Sequence, residues 1–239
     1  MAATRSPEPH GPIRFELVPK PNGSPRPLVR LTPTDDQGYA RAVARVAPFI
    51  ERSRGPGTFA NGIRRVSAGR IVLRPWGLDR TAWRRRVGIL MRGAPIVAVT
   101  DVRDCYPSIV ADVVRARLRA CGAPHDAVAD VMRWLWGFQD RGVRGLPVGP
   151  TPSAILAEAV LAAGDRALDT MGARYVRWVD DVVVFDDDPR TAVAALGALH
   201  RAWSSIRLEP NDEKTSLLER SIAMRRLRSG APSGTGDVR

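Results

Sequence analysis

Two spacings of apolar residues along the chain predict a mixture of strands and helices. Ile13 to Val18 and the apolar residues after Asn22-Gly23 predict two strands joined by a tight turn, because Asn-Gly is typical of hairpins. Residues 96–100 (IVAVT) form an unbroken apolar run, which is typical of a buried central strand. The runs YVRWV and VVVF flank Asp180-Asp181 and predict a second hairpin with both carboxylates at its tip.

Apolar residues at helical spacing predict the helices. The first begins behind Thr34 and Asp35, which are suited to capping, and carries its apolar residues between positions 40 and 50. The others are predicted at about Thr81–Met91, Ile109–Cys121, Ala127–Phe138, Ser153–Leu168 and Arg190–Ser205. Helices and strands in this order form an α+β pattern.

The two ends of the chain differ from the rest. Residues 1–11 and 228–239 are rich in Pro, Gly, Ser and charge, and they predict disordered tails because they bury too little apolar surface to offset the entropy of ordering. Residues 12–227 contain no Gly/Ser linker and no internal repeat. This region is therefore predicted to form one multi-lobed unit with a continuous core.

The composition of the chain indicates the kind of partner it binds and the compartment in which it works. The 239 residues carry 37 Lys+Arg against 25 Asp+Glu, a formal net charge of +12, which predicts a polyanionic partner, most simply nucleic acid. Two cysteines are too few for a disulfide scaffold, and no Cys or His pair has zinc-ligand spacing, so a reducing, cytoplasmic setting is expected. No apolar run is long enough to span a bilayer, so membrane insertion is not predicted.

Three carboxylates are candidates for chemistry. Asp101 follows the buried strand, and Asp180 and Asp181 sit at the hairpin tip. Clustered like charges usually need a cation, and oxygen-only ligands suit Mg2+. Two such ions would clamp the attacking 3′-hydroxyl and the leaving pyrophosphate of a nucleotidyl transfer. An Asp-Asp pair between two apolar strands is also a common solvated turn, and these residues alone leave that alternative open.

Several motifs taken together resemble the reverse transcriptase family. VTDVRDCYPSI, RGLPVGPTPSAILAE, RYVRWVDDVVVF and LEPNDEKTS occur in the order of its successive motifs, and PKPNGSPRPL and TFANGIRR resemble its first fingers motifs. The resemblance covers about residues 13–218 and is closest to bacterial branches, namely group II intron, retron and abortive-infection-like enzymes. It implies an α+β right-hand polymerase fold with an antiparallel palm sheet and helices on one face of that sheet. Only 24 residues follow Thr215, too few for the family's helical thumb, so the thumb is expected to be absent or vestigial. The fingers would comprise about residues 12–95 and 107–145, and the palm about residues 96–106 and 146–227.

The resemblance also implies roles for individual residues. Asp101, Asp180 and Asp181 match the catalytic metal-binding triad, with the Val102 carbonyl as a further ligand of two Mg2+ ions, for which Mn2+ can substitute. Tyr106 matches the aromatic residue that crowds the 2′-position of the incoming sugar. Lys20 and Arg26 match the cations that hold the triphosphate of a dNTP.

Other residues match supporting positions. Gly149 and Ser153 fall in the segment that supports the template and the nascent base pair, and Asn211 and Lys214 fall in the motif that braces the palm. Trp178 stands where the family usually has Tyr or Phe, and Val148 stands where many members have Gln. His10, His125 and His200 are scattered away from these motifs and are interpreted as surface or satisfied histidines.

The implied function is RNA-directed DNA polymerisation, in which a DNA strand is extended from dNTPs on an RNA template, in a mobile element or in antiviral defence. A noncoding RNA or a second subunit is the expected replacement for the thumb. Two alternatives stay open. One is template-independent or protein-primed DNA polymerisation by the same active site, and the other is a catalytically inert RNA-binding scaffold.

Overall fold

The computed structural model describes residues 9, 11–19 and 23–229. The strands in this part of the chain are β1 (Arg14–Pro19), β2 (Pro25–Arg30), β3 (Ile63–Ser67), β4 (Arg70–Leu73), β5 (Ile96–Thr100), β6 (Arg174–Trp178), β7 (Asp181–Asp186) and β8 (Ser216–Glu219). The helices are α1 (Pro33–Arg52), α2 (Trp76–Arg92), α3 (Cys105–Ser108), α4 (Ala111–Ala120), α5 (His125–Gln139), α6 (Thr151–Thr170), α7 (Pro189–Ser204) and α8 (Arg220–Ser229). None of these helices is both long enough and apolar enough to cross a membrane.

The chain divides into two compact units. The hairpin unit contains the described residues of Met1–Ser53, Ile63–Leu73 and Tyr106–Val160, and the sheet unit contains those of Arg54–Gly62, Arg74–Cys105 and Leu161–Arg239. These bounds differ from the fingers and palm segments expected from the motifs, and that functional division stays a prediction.

The sheet unit is built on a four-stranded antiparallel sheet in the order β6-β7-β5-β8. The unbroken apolar sequence of β5 suits its inner position, where it is hydrogen-bonded on both sides and Val97 and Ala98 are fully buried. Helix α7 packs against β5, β7 and β8, and α2 packs against β6. Leu199 and Trp203 of α7 contribute buried apolar side chains to this core.

The hairpin unit consists of two antiparallel hairpins, β1-β2 and β3-β4, and a helical layer in which α1 packs on α4 and α5. Its core is an aromatic cluster in which Tyr39 lies edge-on to Phe138 at 5.0 Å and 6.1 Å from Trp134. Gly38 is required beside this cluster, because an added Cβ would overlap the Trp134 ring.

Most predicted elements are present, with shifted ends. Strand β5 has the predicted bounds, and β6 and β7 form the predicted hairpin. Helix α1 begins earlier than expected: its cap is Thr32, whose Oγ1 accepts a hydrogen bond from the Asp35 amide, so the predicted cap at Thr34 or Asp35 is wrong. Pro33 at the first helical position explains the shift, since its fixed φ suits a helix start.

Some elements were not predicted. Helix α2 begins at Trp76 rather than Thr81, and β3, β4, β8 and α8 had no expectation. The predicted tail from residue 228 is wrong at its start, because α8 continues to Ser229. Residues 1–8, 10 and 230–239 and the predicted turn residues 20–22 lie outside the described residues.

Candidate active site

Strand register brings the carboxylates to one end of the sheet. Thr100, the last residue of β5, pairs with Val182 of β7, so the next register position sets Asp101 opposite Asp181. Trp178 at the end of β6 pairs directly with Asp181. Since β5 and β6 both pair antiparallel with β7, on its two sides, chain positions far apart in sequence form one row across this end of the sheet.

The connection between β6 and β7 is a tight turn of Val179 and Asp180. Val179 has a φ of 55°, in the left-handed region that β-branched residues disfavour. The turn leaves Asp180 and Asp181 half-buried. A strained backbone at this position indicates that the surrounding structure determines the turn.

Asp101 is a buried carboxylate with one compensated and one uncompensated oxygen. Its residue is 3% exposed, its Oδ2 accepts a hydrogen bond from Lys214 Nζ, and its Oδ1 is buried with no hydrogen-bond partner among the described residues. Burial alone would lower the pKa of Lys214, but the hydrogen bond and charge of Asp101 and the charges of Asp181 and Asp180 outweigh it and raise the pKa. The lysine therefore stays charged and offsets the negative charge of all three carboxylates.

A turn at residues 211–215 brings that lysine to Asp101. The Asn211 amide donates to the Asp101 carbonyl at 2.9 Å, and the Asn211 carbonyl accepts from the amides of Lys214 and Thr215. Val102 is buried and forms an isolated antiparallel β-bridge with Pro210, the residue before Asn211. The structure thus assembles Asp101, Val102, Asn211 and Lys214 from two distant motifs.

A polar cluster that the sequence did not indicate lies at the end of β5. Thr100 Oγ1 is 2.8 Å from Thr215 Oγ1 and 3.1 Å from His200 Nε2 of α7. Burial lowers the pKa of His200, against an opposing effect of Asp212. His200 is a satisfied histidine as interpreted, but it lies beside the first carboxylate motif. Only the packing of α7 on β5 reveals that proximity.

A group of aromatic side chains lies beside the tight turn of Val179 and Asp180, the aspartate turn. Trp178 is buried, and its ring is edge-on to Trp76 at 5.9 Å and to Trp83 at 6.2 Å. The Arg80 guanidinium lies 4.9 Å from the centre of the exposed Trp76 ring. Trp178, at the end of β6, therefore packs against the aromatic side chains of α2 and supports the turn.

The remaining candidates belong to the hairpin unit, where Tyr106 is the anchor of a glycine-rich loop. Its carbonyl accepts hydrogen bonds from the amides of Leu146 at 2.9 Å and Ile109 at 3.2 Å. Gly145 precedes Leu146 with a φ of 62°, and an added Cβ would overlap the carbonyl oxygens of Tyr106 and Pro107. Glycine is therefore required where the loop meets this helix.

The same loop docks on β2, the strand that carries Arg26. The Val29 amide donates to the Val148 carbonyl at 2.7 Å, and Gly149 beside it has a φ of 121°. Ser153 is fully buried in α6, with its hydroxyl 3.2 Å from the Tyr39 hydroxyl. The hairpin unit thus brings together Arg26's strand, Tyr106 and the Gly149 loop, whereas Lys20 lies outside the described residues.

The oxygen atoms of Asp101, Asp180 and Asp181 at this end of the sheet are suited to a hard cation. Within residues 9, 11–19 and 23–229, no three His, Cys, Asp or Glu side chains converge tightly enough to form a metal cluster. The buried Asp101 Oδ1 without a protein partner, and the nearby carboxylates of Asp180 and Asp181, are nevertheless oxygen donors of the kind that Mg2+ prefers.

Comparisons with known proteins agree with the motifs. The sequence model of the family described as "Reverse transcriptase (RNA-dependent DNA polymerase)" matches residues 18–225. Among solved structures, telomerase from Candida albicans in complex with a TWJ fragment of telomeric RNA is similar, with a TM-score of 0.57 and 12% sequence identity. The match covers 87% of this chain and 42% of the telomerase chain. No curated protein sequence matches. The α+β fold with antiparallel sheets, resembling reverse transcriptase fingers and palm, is confirmed.

Proposed function

The chain belongs to the reverse transcriptase (RNA-dependent DNA polymerase) family, and from that premise we propose that it extends a DNA strand on an RNA template. The observation that carries the proposal is Asp101: a buried carboxylate with an oxygen that no described protein group satisfies, in register with Asp181. In the reaction, the 3′-hydroxyl oxygen attacks the α-phosphorus of a dNTP, and the bond to the leaving pyrophosphate breaks.

The end of the sheet that carries the three carboxylates would hold the metal ions. Asp101, Asp180 and Asp181, with the Val102 carbonyl, would bind two Mg2+ ions, for which Mn2+ can substitute. Bound there, the ions would neutralise charge on the attacking and leaving oxygens. Lys214 keeps the Asp101 carboxylate oriented and offsets its charge, and Asn211 holds the Lys214 turn against the Asp101 backbone.

The substrate would be held by residues of the hairpin unit. Arg26 and Lys20 would bind the triphosphate through charge-assisted hydrogen bonds, and the Tyr106 ring would crowd a 2′-hydroxyl and so favour dNTPs. Gly149 and Ser153 would support the template-facing loop, and Trp178 would support the turn of the metal ligands. The net charge of +12 supports sequence-independent binding of template and product phosphates.

The biological setting is also part of the proposal. The motifs favour a bacterial enzyme in a mobile element or in antiviral defence, with a noncoding RNA or a second subunit as a further partner. The two cysteines, Cys105 and Cys121, are too few for a disulfide scaffold, which supports a reducing, cytoplasmic setting. A second candidate function uses the same active site without a template. It is favoured by Val148, whose apolar side chain replaces a polar one that many family members carry.

Incorporation of labelled dNTPs tests the proposal. The protein is assayed with Mg2+ or Mn2+, with and without an RNA template and annealed DNA primer, and compared with the Asp180→Asn/Asp181→Asn double variant. The matched control is Asp186→Asn/Asp187→Asn, which makes the same charge change at the opposite end of β7. Incorporation that needs the template, and is lost in the first variant only, supports the proposal.

Other outcomes decide between the alternatives. Incorporation that is indifferent to the template but lost in Asp180→Asn/Asp181→Asn favours the second candidate. Absence of incorporation with every template and metal contradicts both and favours the inert RNA-binding scaffold. Incorporation that survives in Asp180→Asn/Asp181→Asn contradicts the metal-binding role proposed for these two carboxylates.

A further inference from the structure

A buried ion pair lies directly behind the aspartate turn, within the sheet unit. Arg177 of β6 and Asp165 of α6 are each 1% exposed. The guanidinium donates through Nε to Asp165 Oδ1 at 2.8 Å and through Nη2 to Asp165 Oδ2 at 2.7 Å. This two-point contact fixes the plane of the guanidinium as well as its position.

The Arg54–Gly62 segment closes the pair on its other side. Thr58 Oγ1 donates to Asp165 Oδ2 at 3.1 Å and lies 3.3 Å from Arg177 Nη2. The backbone of Arg177 is paired as well: its amide donates to the Gly57 carbonyl at 2.7 Å, and its carbonyl accepts from the Phe59 amide at 3.1 Å. Backbone and side chain of Arg177 are thus held at several points.

The third guanidinium nitrogen of Arg177, Nη1, contacts the aspartate turn. Nη1 of Arg177 donates to the Val179 carbonyl oxygen at 2.6 Å. Val179 is the residue held at a φ of 55°, a conformation that a β-branched residue does not favour. The charge-assisted bond therefore acts on a residue whose backbone conformation its own side chain disfavours.

Stability alone is a weak reason for this arrangement. A buried ion pair loses the hydration of both charges, and well-packed apolar side chains often serve the fold as well. Val182, the cross-strand partner of Arg177, and its sequence neighbours Val176 and Trp178 are already buried apolar side chains. An apolar side chain, however, could not donate a hydrogen bond to the carbonyl of Val179, next to Asp180.

We propose that Arg177, anchored by Asp165, is a positioning residue that holds Val179 in the left-handed conformation and thereby sets the orientation of Asp180 and Asp181 for nucleotidyl transfer. The proposal rests on the proposed function for its catalytic consequence. Its structural part, the control of the turn by the Arg177 side chain, is separate and has its own measurement.

Arg177→Lys is the primary variant. Lysine keeps the positive charge next to Asp165, but its single nitrogen cannot replace the three guanidinium nitrogens that make the two-point contact with Asp165 and the bond to the Val179 carbonyl. We expect kcat to fall about 10- to 100-fold with KM for dNTP changed less than about 3-fold, because misplacement of reacting groups lowers the rate more than binding. A change confined to KM, or no change in kcat, overturns the proposal.

Thr58→Val is the matched control for stability. It removes the hydroxyl from the network but leaves the two-point Asp165 contact and the bond to Val179. We expect this variant to melt at a lower temperature than the wild type with kcat within about 3-fold of it. If Thr58→Val lowers kcat as much as Arg177→Lys does, the effect is one of general stability and the proposal fails.

A rescue separates backbone conformation from side-chain packing. Glycine adopts positive φ without strain, so Val179→Gly is expected to restore kcat about 5-fold or more in the Arg177→Lys background. Val179→Ala also shortens the side chain but still disfavours positive φ, and it is expected to restore nothing. Equal rescue by both substitutions, or rescue by neither, overturns the role assigned to Arg177.

Hydrogen–deuterium exchange of residues 176–184 tests the turn without any activity. We expect about 10-fold faster exchange of this segment in Arg177→Lys and unchanged exchange in Thr58→Val. If the wild type incorporates no nucleotide, the proposed function fails, while faster exchange still supports control of the turn. If the wild type is active and exchange in Arg177→Lys is unchanged, the positioning proposal alone fails.

Discussion

Lys214 Nζ contacts Oδ2 of Asp101 where the pairing of β5 with β8 runs out. Val99 pairs with Ser216, and the turn of residues 211–215 that precedes β8 brings Lys214 to the Asp101 carboxylate. One side of Asp101 therefore faces a cation and the other side faces Asp181. The carboxylate cluster is kept compatible with folding by a lysine that the sequence places more than a hundred residues away.

Lys214→Met is expected to lower the free energy of unfolding in the absence of divalent metal. The change leaves the buried Asp101 carboxylate without its cation, and we expect a loss of about 1–2 kcal/mol, reduced from the cost of a fully buried pair because Lys214 is half-exposed. Urea denaturation with and without Mg2+ measures this.

Mg2+ should restore part of the stability lost in Lys214→Met, because a cation bound by the native carboxylates replaces the missing charge. Lys214→Arg, which keeps the charge, serves as the control and should lose less. Equal stability of Lys214→Met and wild type without metal would contradict the charge-balancing role.

His200 should make stability depend on pH. Burial lowers its pKa below the ordinary value of 6.5, so below that value the unfolded chain binds a proton more readily than the native protein. Stability is therefore complete above about pH 6.5 and falls as the pH drops through that value toward the lower native pKa. Urea denaturation at about pH 7.5 and about pH 5.5 should show a larger acid loss in wild type than in His200→Gln.

The exposed His125 of α5 supplies the control for this measurement. His125→Gln should retain the pH dependence of the wild type. If His200→Gln loses as much stability at low pH as the wild type, burial of the His200 ring does not control its protonation.

Gly145→Ala should destabilise the hairpin unit by about 2–4 kcal/mol, because the new Cβ combines a strained φ with overlap of the Tyr106 and Pro107 carbonyls. Gly142 also has a positive φ, but nothing lies within 4 Å of an added Cβ. Gly142→Ala should therefore cost only about 1 kcal/mol. Melting temperatures of the two variants test the difference, and equal values would show that the loop does not dock closely on Tyr106.

Tyr106→Val should relax discrimination between dNTPs and ribonucleotides. Removal of the ring makes room for a 2′-hydroxyl, and the ratio of the two kcat/KM values should fall about 10- to 100-fold. Tyr106→Phe keeps the ring and should keep the ratio within about 3-fold. A ratio that is unchanged in Tyr106→Val would remove Tyr106 from sugar selection.

Elements with strong local signals were predicted well. The apolar run 96–100 and the two runs around Asp180-Asp181 became β5, β6 and β7, because a buried strand and a tight hairpin are encoded by adjacent residues. Strand β8 was missed since four residues with alternating exposure carry little signal, and it forms by pairing with β5. The cap at Thr32 was missed because Thr34 and Asp35 are also residue types that favour the cap position.

The sequence by itself determined the α+β class and the family and predicted the three carboxylates as metal ligands, because these follow from local patterns and from motifs in order. Only the tertiary structure decided which residues surround the carboxylates. Lys214 reaches Asp101 through the turn of residues 211–215, His200 reaches Thr100 through helix packing, and Arg177 reaches Asp165 in the interior. Arginine and aspartate are usually surface residues, and their burial depends on partners that folding brings together.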